Sequence, residues 1–286
     1  MQKYRNIKMQ VTTSSIQGTR DYQEDRIIYR DNFIPGFSVA AVFDGHVGDA
    51  ASEYMIRNLI PVLKAEMNKT SQMQKVLFNT VKELEFSYSG KGYTSIRDKG
   101  YENHLKELPN IPGTTAVICV IDKNNMSLYV ANVGDSRAIL VRKGRSYQIT
   151  GDHSMHIIGP ETFKLFERDK SAYVKEGYLW TTNGDNGEDF GLNVIRTLGD
   201  PLFKGRFNPH ILQSKDKYDI IGWHPDLFCY QLKKGDTLIL GSDGVYNFIS
   251  NAETARAALK GGAEMVTKTA LKEGSNDNIS AIVIKF

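Results

Sequence analysis

Cysteine and long apolar runs are both scarce in this sequence. Only two cysteines occur among 286 residues, Cys119 and Cys229, and neither belongs to a CxxC motif or a Cys/His cluster. We therefore expect neither a disulfide scaffold nor a structural zinc site. No apolar run approaches the ~18 residues of a membrane-spanning helix, and the polar start of the chain lacks the apolar core of a signal peptide. These absences predict a protein of the reducing cytoplasm, with a nuclear location left open and no membrane partner.

An excess of charge of either sign is also missing. Lys and Arg total 36 against 33 Asp and Glu, and a net charge of +3 is too small for a dedicated nucleic-acid binder. Hydrophobic residues make up 41% and charged residues 24%, which is ordinary globular usage and excludes a disordered chain. No repeat, Pro-rich linker or charge block divides the sequence. We therefore expect one domain covering residues 1–286, without a nucleic-acid partner.

Continuous apolar runs and alternating patterns predict a set of β-strands. The strands predicted in this way are 37–43, 115–121, 126–133, 137–142, 237–240 and 279–284. Turn residues separate the three strands between 115 and 142, so we expect these three to pair in an antiparallel meander. The runs at 37–43, 237–240 and 279–284 have no polar face, which is typical of strands covered on both sides.

Helical periodicity appears on both sides of the central strands. It predicts helices over 50–67, which includes Pro61, and over 73–88, followed near the end of the chain by 252–260 and 263–272. Buried strands with helices outside them indicate an α+β fold, a four-layer helix/sheet/sheet/helix sandwich of two antiparallel β-sheets. The segment from about 151 to 191 has mixed polarity and many turn formers, and we expect it to form an irregular flap beside the site.

Carboxylates stand at the ends of three predicted core strands. Asp44 follows the first strand, Asp243 follows 237–240 after a Gly–Ser step, and Asp277 precedes the last strand. If these strands are neighbours, the acids converge and either raise one another's pKa or require a cation, for which oxygen ligands favour Mg²⁺ or Mn²⁺. Each acid taken alone is a solvated turn residue. A further acidic pair, Glu24–Asp25, is not distinguished from a charged surface loop by its spacing.

Seven short motifs, taken in order, resemble those of the PP2C (PPM) family of metal-dependent protein serine/threonine phosphatases across nearly the whole chain. They are Gly18-Thr19-Arg20 with Glu24-Asp25, Val42-Phe43-Asp44-Gly45-His46, Gly113-Thr114-Thr115-Ala116, Val133-Gly134-Asp135-Ser136-Arg137, Arg196-Thr197-Leu198-Gly199-Asp200, Ser242-Asp243-Gly244 and Asp277-Asn278-Ile279-Ser280. One tetrapeptide is weak evidence, whereas seven in the family's order are strong.

The resemblance implies the PP2C-like sandwich and a hydrolase with two Mg²⁺ or Mn²⁺ ions. In it Asp44 bridges both ions, Asp243 and Asp277 complete one ion, and the carbonyl of Gly45 contributes to the other. A water shared by the two ions attacks phosphorus in line with the leaving oxygen.

The resemblance also implies roles around the metals. Glu24 and Asp25 act mostly through metal-bound waters, and Arg20 clamps two phosphate oxygens with its planar guanidinium. His46 protonates the departing serine or threonine oxygen. Judged without the motif, Arg20 is an ordinary surface arginine and His46 an ordinary core or surface histidine.

Some positions depart from the family pattern. The family often holds a third, weaker ion between two aspartates, and here Asp135 is retained but Asn247 occupies the second position. A weak third ion between Asp135 and Asn247 is therefore left open. Ile195, Thr197 and Met155 also differ from the usual residues, so the flap and substrate choice are not carried over.

Two functions remain after this comparison. The first is an active, monomeric phosphatase acting on phosphorylated proteins, and the alternative is a catalytically inactive phosphatase-like regulatory or binding module. Inactive members usually lose metal acids, whereas this chain retains all the residues named for the chemistry: Arg20, Glu24, Asp25, Asp44, His46, Asp243 and Asp277. A two-metal nuclease is disfavoured because no basic groove is evident.

Overall fold

Two five-stranded antiparallel sheets form the centre of the structure, a computed structural model that describes residues 8–99, 112–157, 172–182, 189–204 and 221–286. The first sheet, in spatial order, consists of β2 (Arg26–Ile34), β3 (Phe37–Phe43), β6 (Ala116–Asp122), β7 (Ser127–Val133) and β14 (Asp226–Gln231). Every residue of β3 after Phe37 is buried, which confirms the prediction that this apolar run is covered on both faces.

The second sheet contains the strands that lead to the C-terminal part of the chain. In spatial order it consists of β1 (Gln10–Ile16), β16 (Ile279–Lys285), β15 (Thr237–Gly241), β8 (Arg137–Arg142) and β9 (Arg145–Gln148). β15 and β16 are paired neighbours, with Leu240 opposite Ile282. The chain segments before Asp277 and after Gly241 therefore meet at one edge of the sandwich.

The predicted meander is correct for one pair of strands and wrong for the other. β6 and β7 pair antiparallel, with Ala116 opposite Val133. β8 does not continue that sheet but pairs with β15 and β9 in the second sheet. The chain crosses from one sheet to the other at Gly134, where the backbone N–H donates to the Nδ1 atom of His153 instead of closing a hairpin.

Helices cover both outer faces. α1 (Ala50–Lys69) and α2 (Met73–Lys99) pack on the first sheet, and Pro61 lies inside α1 without ending it. α3 (Asp243–Tyr246) is a single turn, and α4 (Asn251–Lys272) packs on the second sheet. Non-helical backbone angles at Gly261 and Gly262 divide α4, in agreement with the two helices predicted there. Among the described residues, no helix has the length and apolarity needed to cross a bilayer.

Three apolar cores separate the four layers and confirm the predicted sandwich. Leu59 and Leu84 belong to the core between the first helix pair and the first sheet. Val42 and Leu240 belong to the core between the two sheets, and Val266 belongs to the core beneath α4. The central strands β3 and β15 are almost wholly buried, and the predicted acids Asp44 and Asp243 lie just beyond their ends.

Two small sheets complete the described structure. One joins β4 (Gly45–His46), β5 (Gly113–Thr114) and β13 (Leu198–Gly199), with β5 in the middle. The other joins β10 (Ala172–Lys175), β11 (Tyr178–Thr182) and β12 (Asp189–Leu192) within the predicted flap. This described part of the flap is more regular than we expected, and residues 158–171 and 183–188 of the predicted flap lie outside the described residues.

Candidate active site

The ends of strands from both large sheets bring the predicted acids to one edge of the sandwich. Asp44 follows β3 of the first sheet, and its Oδ2 atom accepts a hydrogen bond from the backbone N–H of Asp243 at 3.4 Å. Asp243 begins α3 directly after β15 of the second sheet, and Asp277 precedes the neighbouring strand β16. A side chain at Gly244 would place its Cβ 2.1 Å from the carbonyl oxygen of Asn278, so glycine is required for this close approach.

Mutual repulsion and burial disfavour full ionisation of these acids. Burial raises the pKa of Asp44 well above its ordinary value, and the nearby charges of Asp25, Asp243, Asp135 and Asp277 raise it further. Burial, followed by the charge of Asp277, also raises the pKa of Asp243. The cluster therefore concentrates more negative charge than the protein around it compensates.

Glu24 and Asp25 do not form a solvated surface loop. Asp25 is only 2% exposed, and burial raises its pKa to about 7, with further contributions from the charges of Asp243 and Asp277. One carboxylate oxygen of Asp25, Oδ2, accepts a hydrogen bond from the hydroxyl of Ser242 at 2.8 Å. Among the described residues, the other oxygen, Oδ1, is buried without a hydrogen-bond partner. An orphaned anionic oxygen inside an acidic cluster is a ready ligand for a cation or its water.

The loop that carries these two acids is held by Asn278. The side chain of Asn278 donates to the carbonyl oxygens of Gln17 and Tyr22 and accepts from the backbone N–H of Glu24 at 2.7 Å. The carboxylate of Glu24 accepts from the backbone N–H of Gly48. The first and last predicted motifs therefore form one assembly, although they lie at opposite ends of the sequence.

Arg20 lies at the rim of the acidic cluster. Its side chain is 53% exposed, and its Nη2 atom donates to Oδ2 of Asp277 at 2.8 Å. The guanidinium therefore has a carboxylate on one side and solvent on the other. This position allows a second anion to approach Arg20 from the solvent side.

Position 247 is in contact with the cluster. The side-chain amide of Asn247 donates to Oδ2 of Asp243 at 2.9 Å, and Asn247 ends the single turn α3. The cap of the following helix α4 is Ser250, which forms a reciprocal capping box with Glu253. Burial, followed by the charge of Asp243, raises the pKa of Asp135 to about 8.

His46 has a partner that the sequence analysis did not identify. Its Nε2 atom lies 2.9 Å and 2.8 Å from the two carboxylate oxygens of Asp200. Burial lowers the pKa of His46, but the charge and hydrogen bond of Asp200 outweigh it and raise the pKa above its ordinary value. The sequence signal for Asp200 was its place at the end of the fifth motif, where it follows Gly199 and precedes Pro201.

The donor chemistry fits hard divalent cations. Among the described residues, no three His, Cys, Asp or Glu side chains already surround one point as metal ligands. Burial and the charges of Asp25 and Asp243 nevertheless raise the pKa of Asp44, and Oδ1 of Asp25 is unsatisfied. Carboxylate oxygens without a thiolate or imidazole cluster suit Mg²⁺ or Mn²⁺ better than zinc.

A two-sheet sandwich with converging acids at one edge, and a histidine–aspartate pair beside them, is consistent with a phosphatase. The Protein phosphatase 2C family model matches residues 9–279, and the chain belongs to this family of serine/threonine phosphatases.

Individual relatives agree with the family assignment. Protein phosphatase 2C 57 from Arabidopsis thaliana is 27% identical over 94% of this chain and 73% of its own length. The crystal structure of serine-threonine phosphatase 2C from Toxoplasma gondii has a TM-score of 0.71 and 20% identity, over 96% of this chain and 94% of its own. The catalytic domain of serine threonine protein phosphatase PstP, solved in complex with two manganese ions, has a TM-score of 0.59 and 18% identity, over 97% of both chains.

Proposed function

We propose that this protein is an active, metal-dependent phosphatase that hydrolyses phosphoserine and phosphothreonine monoesters in proteins. The observation that carries the proposal is the buried acidic cluster of Asp44, Asp243 and Asp25, whose ionisation is disfavoured without a cation. A binding module without turnover has no need to retain a cluster that opposes its own folding.

The chain offers oxygen ligands for two ions. Asp44, Asp243 and Asp277 would hold them together with the carbonyl of Gly45, while Glu24 and Asp25 would hold their waters. A bound pair of Mg²⁺ or Mn²⁺ ions lowers the pKa of a water and neutralises charge on the phosphoryl group.

Protein side chains supply the remaining steps. Arg20 binds two phosphoryl oxygens through its planar guanidinium from the solvent side of the Arg20–Asp277 contact. Asp200 raises the pKa of His46 and so favours its protonated form, from which His46 would deliver a proton to the departing serine or threonine oxygen. An alkoxide is a poor leaving group, so this proton transfer matters for protein substrates.

The test is phosphate release from a phosphothreonine peptide with Mn²⁺, with Mg²⁺ and with EDTA. We expect turnover with either metal and none with EDTA. Asp44→Asn should abolish turnover, whereas Asp122→Asn should retain it, because Asp122 is also a buried carboxylate, 5% exposed, but ends β6 and accepts hydrogen bonds from Asn124 and Asn125 in the following turn.

A second readout does not depend on turnover. Removing one of several repelling buried carboxylates should stabilise the metal-free protein, so Asp44→Asn should unfold at higher urea than wild type in EDTA and respond less to Mg²⁺. Full activity in EDTA would overturn the two-metal proposal. A wild-type protein that is stabilised by Mg²⁺ yet never releases phosphate would instead support the inactive module.

A further inference from the structure

A buried ion pair lies behind the His46–Asp200 contact. Glu85 of α2 and Lys204 are both 0% exposed, and the Nζ atom of Lys204 donates to Oε1 of Glu85 at 2.7 Å. Neither residue contacts the acidic cluster in any hydrogen bond described above. Replacing a buried ion pair by apolar side chains is often neutral for stability, so the need for these charges is not explained by stability alone.

The pair binds the backbone just before Asp200, and Lys204 itself lies after it. Oε2 of Glu85 accepts from the backbone N–H of Gly199 at 2.8 Å. Lys204 also donates from Nζ to the carbonyl oxygen of Thr197 at 2.9 Å. The segment 197–204 is therefore attached to helix α2 at Gly199, just before Asp200, and at Lys204, the last residue of the segment.

Asp200 itself needs such support. Its φ angle is +49°, in the left-handed region that a residue with a Cβ rarely adopts. The αL conformation costs free energy at a non-glycine residue and persists only where the surroundings enforce it.

The strand between the two partners leaves room for their contact. His46 and Gly199 lie on the outer strands of the small sheet, and both are paired with Gly113 in the middle. A Cβ atom on Gly113 would lie 1.9 Å from Oδ2 of Asp200. The carboxylate of Asp200 therefore crosses directly over a position that only glycine leaves open.

We infer that Glu85 and Lys204 are positioning residues for proton delivery: their ion pair fixes the backbone of residues 197–204 so that both carboxylate oxygens of Asp200 face Nε2 of His46. This inference rests on the proposed function, because it assigns the pair to the leaving-group step of that reaction. It predicts that the pair matters when the leaving group needs a proton and not otherwise.

The experiment compares two substrates at saturating Mn²⁺. Hydrolysis of a phosphothreonine peptide expels an alkoxide, which needs a proton, whereas hydrolysis of para-nitrophenyl phosphate expels a stable phenolate. General acids contribute roughly 10²–10⁴-fold, so a misplaced one should cost about tenfold or more. We expect Glu85→Gln to lower kcat for the peptide by at least about tenfold, with KM for both substrates and kcat for the aryl phosphate within about twofold.

A double-variant series separates positioning from a general loss of structure. In a His46→Ala background the proton donor is already gone, so adding Glu85→Gln should cause no further loss on the peptide. Asp200→Asn should reproduce the substrate selectivity of Glu85→Gln. Gly113→Ala should do the same from the opposite side, since it displaces the carboxylate of Asp200 and leaves the Glu85–Lys204 pair in place.

Each result decides the matter. Equal losses on both substrates, or an additive loss in the His46→Ala background, would overturn the positioning role while leaving the proposed function standing. If the wild type releases phosphate from neither substrate, the proposed function fails and this inference fails with it. Should Glu85→Gln not fold, Lys204→Gln keeps a hydrogen-bond donor at the buried position and allows the same comparison, with the same outcomes supporting or overturning the role.

Discussion

Position 247 offers a sharp test of the acidic cluster, because asparagine there supplies a hydrogen bond where a carboxylate would add charge. The side-chain amide of Asn247 donates to Oδ2 of Asp243 at 2.9 Å, and Asn247 is exposed. Asn247→Asp replaces this donor by a like charge. In the absence of divalent metal the variant should therefore be less stable than wild type, and with metal it should gain more than wild type does.

The magnitude follows from the separation of the two carboxylates. Two charges about 4 Å apart repel by ~1 kcal/mol in water and by ~4 kcal/mol at an effective dielectric constant near 20. Since Asn247 is exposed and Asp243 is half-buried, we expect Asn247→Asp to lose about 1–2 kcal/mol of unfolding free energy in EDTA. Asn247→Ala removes only the exposed hydrogen bond and should lose about 0.5–1 kcal/mol, so it is the matched control.

Urea unfolding in EDTA and across a Mg²⁺ titration measures both effects, and phosphopeptide turnover follows the same titration. Asn247→Asp should reach its fastest rate at a lower Mg²⁺ concentration than wild type, because a carboxylate at position 247 would offset the dehydration of a hard cation at the weak third site expected between positions 135 and 247. The reasoning is refuted if Asn247→Asp and Asn247→Ala lose equal stability in EDTA and their Mg²⁺ curves superimpose on that of wild type.

Three further outcomes are expected. Arg20→Ala should raise KM for the phosphopeptide and weaken inhibition by free phosphate more than it lowers kcat, and unchanged phosphate inhibition would remove Arg20 from the substrate site. Burial lowers the pKa of His153, against the opposing effect of Asp226, and its Nδ1 atom accepts from the backbone N–H of Gly134. The unfolded chain therefore binds a proton first as pH falls below about 6.5, and the stability present above that pH should decline toward lower pH. His153→Gln should flatten this pH dependence of the unfolding free energy measured in urea, and identical slopes for the variant and wild type would contradict the prediction. Ser250→Ala removes the capping box of α4 and should cost about 1 kcal/mol of unfolding free energy without changing turnover, so a loss of turnover would contradict the separation of this cap from the site.

The strands that could be predicted from the sequence are those with apolar residues on both faces. The prediction of 37–43 matches β3 to the residue, and 279–284 falls one residue short of β16. Within the two large sheets, the strands that the sequence pattern does not predict are β1, β2, β9 and β14, and all four lie at sheet edges. An edge strand leaves one side and part of a face to water, as the largely exposed β1 does, so its apolar pattern is weak.

Sheet membership was harder to predict than strand position. The pattern of 137–142 correctly predicts a strand, but the tight turn before it was interpreted as a hairpin. In the structure the chain instead crosses between the sheets at Gly134. The backbone N–H of Gly134 donates to Nδ1 of His153, which lies 19 residues further along the chain. Local sequence does not specify such a partner.

The same limit applies to the site. Acids at strand ends could be predicted to converge, because strand ends are set by local patterns. The partners that orient the chemistry could not: Asp200 lies 154 residues from His46, and Lys204 lies 119 residues from Glu85. Taken alone, a lysine and a glutamate with no local pairing pattern are typical surface residues.

Asp243 and the proton donor rest on different cores of the sandwich. Asp243 is placed by α3, whose Val245 belongs to the core beneath α4. The carboxylate of Asp25 accepts a hydrogen bond from Ser242, which follows β15 of the second sheet. The proton donor depends instead on α2, since Glu85 follows Leu84, which is fully buried between α2 and the first sheet. Asp44 links the two supports, because it follows β3, whose Phe43 belongs to the same core as Leu84, while its Oδ2 atom accepts from the backbone N–H of Asp243. The acidic cluster therefore depends on both outer layers of the sandwich, whereas the Glu85–Lys204 support of Asp200 depends on α2.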